Sequence, residues 1–231
     1  LPRPAGVDWS APWLAPYVAC GQRVAQRWHD GLPLHEALHA EHAPGAPRFV
    51  AASELAPGTA YEQHVAVHGA VPTRPNLHDF FNGLVWLVHT PLKRRLNALQ
   101  AEAITRDGVG AVRGPLRDAV TLLDENGALL RAPAPLWAAL RARDWPRLFV
   151  TLRPLWAEAE LQVVGHALLE KLQQPRKPIT AHVLPADLPL DAHTLAAKPF
   201  SPLPLLGVPG WWAANETPRF YDDATVFRPP R

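Results

Sequence analysis

Proline sets the first limit on what this chain can become. Twenty-seven of its 231 residues are proline, about 12% against a usual ~5%. Each proline removes a backbone donor, and it breaks helix interiors and central strands. The pattern predicts many short helices joined by Pro-marked loops, with long extended segments, rather than a large regular sheet. A chain of this length makes one large domain or two small ones, with enough residues for a substantial core.

Charge narrows the partners. Lys plus Arg number 23 and Asp plus Glu 21, so no strong field exists to hold nucleic acid or an anionic membrane. "KRR" at 93–95 is the one short basic run. The single cysteine, Cys20, rules out an intrachain disulfide and suits a reducing compartment. No stretch approaches the roughly 18 apolar residues of a membrane span. The chain starts at Leu1 and contains no Met, which points to a trimmed start and leaves open whether an N-terminal segment has been removed. A cytoplasmic location is the expectation.

Along the chain, residues 1–20 read as an extended opening segment whose Val7, Trp9, Trp13 and Leu14 can pack on a core. Residues 20–42 read as helices. Residues 43–75 read mostly as loop, with "RFVAAS" and "YEQHVAVHGAV" as the strand candidates. "NLHDFFNGLVWLVHTPLKRRLNALQ" gives two helices. At 100° per residue, Phe80, Phe81, Leu84, Val85, Leu87 and Val88 share one face, while His78, Asp79, Asn82, Trp86 and His89 take the other. Thr90-Pro91 reads as an N-cap with proline at the first helical position. Leu92, Leu96, Leu99 and Ala103 then form the apolar stripe of the second helix. Over 115–131 a helix ended by Asn126-Gly127 competes with a hairpin turning there; the helix is preferred. Residues 134–160 and "VVGHALLEKL" read as helical again. Beyond Lys177 the chain is Pro-rich yet aromatic, which argues against disorder. The expected fold is mainly α (α+β): an irregular multi-helix single domain over 1–231, with a few short strands and a Pro/aromatic-rich arm over 183–231 packed on it.

Four groups of residues can carry chemistry. On the polar face of the 76–89 helix, His78 and Asn82 are i, i+4 neighbours, with Asp79 beside them; His89 lies about 16 Å further along the axis, too far to share a metal with His78. An ordinary solvated face would carry Glu and Lys, and this one carries neither and includes Trp86, a residue rarely left fully exposed. A covered polar face needs hydrogen bonds throughout, which describes either a site or an internal network. Lys93 and Asn97, again i, i+4, read as a surface pair or as a pair that holds an anion or stabilises a transition state. Arg117, Asp118, Asp124 and Glu125 read as local ion pairs and turn residues, or as carboxylates for a divalent metal or general-base work. His166 and Glu170 have a spacing at which one helix can offer two ligands to one metal, although HExxH itself is absent. His182 is a further ligand candidate or a core histidine. Walker A, Rossmann GxGxxG, GxSxG and CxxC signatures are all missing.

The blocks "NLHDFFNGLVWL", "KRRLNALQ", "RGPLRDAVTLLDENGALL", "GHALLEKL", "KPITAHV" and "PLLGVPGWWAANETPRFYDDATVFRP", in this order, resemble the bacterial family known as domain of unknown function 3025. The resemblance implies a bacterial, cytoplasmic protein of one continuous domain, and it carries over no activity, cofactor or catalytic residue. His89 stands where the family pattern "WLxFP" has Phe, which lowers it as a site candidate.

The functional expectation is an enzyme, a metal-assisted hydrolase. His78, Asp79, Asp118, Asp124, His166 and Glu170 would supply ligands and a general base. Asn82, Lys93, Asn97 and Arg117 would position and neutralise an anionic group. The cofactor is left unknown, with a divalent metal as the candidate, and a small molecule is the candidate ligand; nucleic acid is not expected, and a protein partner is left open. The alternative is a non-catalytic binding or adaptor protein whose polar residues form an internal structural network.

Overall fold

The computed structural model describes residues 6–42, 45–108 and 114–229. The first turn is not extended: Pro12–Tyr17 forms a 3-10 helix that runs into α1 (Val18–His29). The expected packing of the segment holds, with Trp13 and Leu14 buried and Val7 and Trp9 against the core. α2 (Leu34–His39) starts after Pro33. Glu41 beyond it accepts hydrogen bonds from Arg23 and Arg27 of α1.

The 43–75 region holds more structure than a loop. β1 (Arg48–Ala51) falls on "RFVAAS". "YEQHVAVH", however, is a helix, α3 (Tyr61–His68), not a strand. Its alternation is loose, whereas Tyr61, His64 and Val65 recur at helical spacing and turn inward. Gly69 ends it with φ +58, and its N–H bonds the Val65 carbonyl, the left-handed stop that glycine favours. The apolar residues that follow make β2 (Ala70–Thr73), which pairs in parallel with β1.

α4 (Leu77–Val88) begins where the Asn76 side chain accepts from the Asp79 N–H, 2.8 Å. Phe80, Phe81, Leu84 and Val85 have no exposure at all, which is the apolar face expected from spacing. α5 (Thr90–Asp107) follows directly. Thr90 is its first residue and not its cap: the hydroxyl donates back to the Trp86 carbonyl at 2.6 Å. α6 (Pro115–Asn126) is the helix that spacing favours over a hairpin, and Asn126-Gly127 ends it. Gly127 has φ −89 there, so its stop is not the left-handed one. The chain turns straight into β3 (Gly127–Arg131).

α7 (Ala134–Ala142), a π-helical turn over Arg147–Thr151 and a 3-10 helix over Arg153–Glu158 lead to β4 (Glu160–Val163). α8 (His166–Lys171) comes next, then β5 (Thr180–Pro185), α9 (Ala192–Ala196) and β6 (Ser201–Pro204). A four-stranded sheet has the order β4-β3-β5-β6, with β3 and β5 parallel and both outer pairs antiparallel. The expected arm over 183–231 is therefore not laid over a finished domain. It supplies the end of an inner strand and an edge strand, and Leu203, Leu205 and Leu206 are fully buried. Proline does not prevent this, because Pro202 and Pro204 sit on the edge strand and Pro185 at the last position of β5.

The main apolar cluster runs from Ala11 to Phe227. At its C-terminal end Phe149 stacks between Trp145, Trp156 and Tyr221, with ring centroids 6.1, 5.9 and 5.1 Å away. Among the described residues no helix is long and apolar enough to cross a membrane.

Candidate functional site

A cleft of about 460 Å³ opens where α3, α4, α5, α6 and α8 meet beside the β1–β2 pair. The covered face of α4 forms one wall. His78 stands in the first turn of α4, Glu125 in the last turn of α6, and His166 is the first residue of α8. A close backbone junction sets their spacing. The Gly127 carbonyl accepts from the N–H groups of Val164 and Gly165 at 3.1 and 2.9 Å. A Cβ on Gly165 would lie 2.5–2.7 Å from backbone atoms of Gly127, Glu125 and Asn126, so no side chain fits there.

The junction brings three ligand-type side chains together. One donor atom from each of His78, Glu125 and His166 falls within 4.8 Å of the others. The Nε2 atoms of His78 and His166 are 3.0 Å apart, and Glu125 Oε2 lies 3.6 Å from His166 Nε2. Behind His78, Glu170 Oε2 is 3.1 Å from Nδ1. An ionised carboxylate only accepts, so Nδ1 is the donor, and in the neutral ring Nε2 keeps its lone pair. Behind His166, Asp124 Oδ2 is 3.7 Å from Nδ1. Two imidazole nitrogens at 3.0 Å repel unless they share a proton or a cation. Two histidines and a carboxylate, with further carboxylates behind the rings, are the donor set of a zinc-type site with an oriented outer shell.

Burial depresses the His166 imidazole, to about 4, despite the nearby Asp124; the ring is neutral over the ordinary pH range and free to offer a lone pair. Burial alone would raise the Asp124 carboxyl, but the ammonium of Lys93, by its charge and its hydrogen bond, outweighs it and holds the group below its usual value. Burial raises Glu125, against the pull of His78.

A second network adjoins the first. Lys93, 4% exposed, donates to Asp124 Oδ1 at 2.5 Å and to Asn82 Oδ1 at 2.8 Å. Its ammonium lies 5.3 Å from the Trp86 ring centroid, a cation–π contact. Asn82 Nδ2 donates to the Tyr61 hydroxyl at 3.0 Å, whose phenol burial keeps protonated. Asp124 thus joins the histidines to the lysine. Asn97 donates to the Glu62 carbonyl, 2.9 Å.

Of the residues singled out from sequence, His78, Asp79, Asn82, Lys93, Asn97, Asp124, Glu125 and His166 line this cleft. Asp79 is tied at the rim by the Arg74 backbone and guanidinium, 2.6 to 3.1 Å, which leaves it poorly placed as a general base. Arg117 and Asp118 do not join the cleft. Arg117 shares the Asp124 side of α6 but lies seven residues earlier, about 10 Å along the axis. Asp118 points elsewhere and pairs with Lys198 at 3.3 Å. Glu170 does not share an ion-sized space with His166 on its own helix; it stands behind His78 of α4. His89 packs edge-on against Tyr17 and His182 against Phe200, both outside the cleft. Tyr61, Glu62 and Arg74 line it without having been singled out. The strand reading of 61–68 concealed the first two, and nothing local marks Arg74.

A family model described as "Protein of unknown function (DUF3025)" matches residues 47–195 and 184–231. No curated protein and no solved structure matches the chain.

Proposed function

Because the chain belongs to that family over most of its length, and the family carries no chemistry with it, we propose a function from the cleft itself: a metal-assisted hydrolase with its ion held by His78, Glu125 and His166. The observation that carries this reading is the convergence of two imidazole Nε2 atoms and one carboxylate, each ring with an acid behind it. Glu170, named from sequence as a ligand, becomes the residue that orients the His78 ring, and Asp124, also named as a ligand, lies near the His166 ring without a hydrogen bond to it. A divalent ion would supply Lewis acidity and an activated water near neutral pH. Lys93 and Asn82 lie beside that position. Lys93, held by Asp124 and sheltered by Trp86, would stabilise an oxygen that gains charge, while the apolar wall excludes bulk water. The same reading keeps the protein in the bacterial cytoplasm, where a lone cysteine suits the milieu.

Elemental analysis of untagged protein after exhaustive dialysis tests the proposal. Near-stoichiometric zinc, manganese or iron is expected, lost in folded His78→Ala and His166→Ala variants and kept in Asp118→Ala. A wild-type protein that retains and takes up no such metal would sink it. The adaptor alternative has less behind it: Trp211 and Trp212 are partly buried against the core, and among the described residues the exposed large hydrophobics are Val67 and Val150.

A further inference from the structure

The charged residues of the cleft are almost all committed to one another, and this bears on what can enter. Its cations, among the described residues, are Arg74 and Lys93. Arg74 offers its backbone N–H, Nε and Nη2 to Asp79. Lys93 is held by Asp124 and Asn82. Four carboxylates, Glu62, Asp79, Asp124 and Glu125, line the same space. With neutral histidines the lining carries a formal charge of minus two, and a divalent ion would bring it to zero.

From this balance, and resting on the metal-hydrolase reading, we infer that the cleft takes an uncharged substrate, a carboxylic ester or amide, and discriminates against phosphate monoesters. The i, i+4 spacing of Lys93 and Asn97 suggests an anion-holding pair, but the structure spends both on other partners: Asn97 on the Glu62 carbonyl, Lys93 on Asp124. Lys93 gives two of its three N–H groups to Asn82 and Asp124; the third can meet the single charge that grows on a carbonyl oxygen, whereas a phosphoryl dianion would compete with Asp124 for the whole ammonium and lie among the carboxylates of the lining, a costly exchange. A neutral carbonyl compound makes no such demand. It can lie along the apolar wall of Tyr61, Trp86, Leu96 and Val120 while its oxygen faces the ion and Lys93. A cleft of about 460 Å³ is of ordinary size for a small-molecule site. The reaction balances with water alone: the water oxygen bonds to the carbonyl carbon, the bond from that carbon to the leaving oxygen or nitrogen breaks, and the leaving group departs with a proton.

The test uses the full chain, loaded with zinc and checked for bound metal before substrate is added. p-Nitrophenyl acetate, an acetyl p-nitroanilide and p-nitrophenyl phosphate are compared by kcat/KM, with His166→Ala as the metal-free reference. The expected result is zinc-dependent cleavage of the ester or the anilide, with the phosphate monoester slower by roughly 100-fold or more. Phosphate ester cleaved as well as the carbonyl substrates, or neither carbonyl substrate cleaved above the His166→Ala level, overturns the inference. A chain that fails to hold zinc defeats the underlying metal reading instead, and the metal check shows this first. Asp79→Asn adds an independent measurement: releasing Arg74 is expected to narrow the gap between phosphate and carboxylic esters, and an unchanged ratio would show that pairing is not what excludes the anion.

Discussion

The aromatic end and the cleft both bury polar groups, and they treat them differently. At the aromatic end, Asn215 has no exposure, yet every part of its amide is used. Nδ2 donates to the carbonyls of Leu206 and Val208 at 2.8 and 2.7 Å, and Oδ1 accepts from Arg153 at 3.3 Å. The Tyr221 hydroxyl beside it donates to the Gly207 carbonyl at 2.9 Å. In the cleft, His166 Nδ1 and Gln100 Oε1 are buried without a hydrogen-bond partner within 3.5 Å, and two imidazole nitrogens face each other. A network that serves packing is saturated, because unused buried donors and acceptors cost stability. The aromatic end follows that rule and the cleft does not. Single unpartnered atoms also occur elsewhere, at Trp13, His64, His89 and Arg117, so it is the facing pair of imidazole nitrogens that sets the cleft apart and fits a functional role.

Mutations can break the contrast or sharpen it. The largest effect is expected at Phe149, fully buried and stacked on three rings: Phe149→Ala should lose about 3–5 kcal/mol in urea unfolding, with the metal content of the folded protein unchanged. Metal lost together with stability would join the two regions into one structural unit. Asn215→Ala should cost about 1–3 kcal/mol, because the Leu206 and Val208 carbonyls lose their donor, again without touching the metal. Glu170→Gln in the cleft should do the opposite. Its side chain is 40% exposed, so stability should stay within about 0.5 kcal/mol, while metal affinity falls roughly 10- to 100-fold in a chelator competition. A large stability loss with unchanged affinity would mark Glu170 as part of a packing network.

The smallest effect lies outside both regions, at Glu41. The guanidinium of Arg23 foremost, with Arg27, holds its carboxyl below the usual 4.5. A depressed folded-state value contributes stability above the unfolded value and loses it as pH falls through the folded one. The gap in Tm between the wild type and Glu41→Gln should therefore be small at neutral pH and close below about pH 4.5. A gap that widened in acid would reverse the assigned sign.

Much of the helical framework was legible from residue spacing alone. The apolar face of α4 and the stop of α6 at Asn126-Gly127 are local properties, and local pattern states them. Spacing also pointed to His78, Asn82, Lys93, Asn97, Asp124 and His166, which the fold gathers into one cleft. It could not tell which acid meets which histidine. His78 and Glu170 are 92 residues apart, and their contact depends on α8 docking against α4. Asp124 and Glu125 are neighbours on one helix, separated by only 100°, so the arrival of α8 decides which of them faces the two rings. The same holds for the C-terminal stretch. Proline density made it look peripheral, but β5 is an inner strand because the prolines fall only where the ladder needs no donor.

The contact between Gly127 and Gly165 gives the cleft an unusual point of weakness. Neither residue has a functional group, yet their clearance fixes how far Glu125 stands from His166. A methyl group at 165 would leave every ligand in the chain and still pry the ligand set apart, as a shim does in a closed joint. Tolerance to change in this protein is thus set by fit as much as by chemistry, and a survey of variants that watched only histidines and acids would pass over two positions, 127 and 165, where one added carbon disturbs the centre.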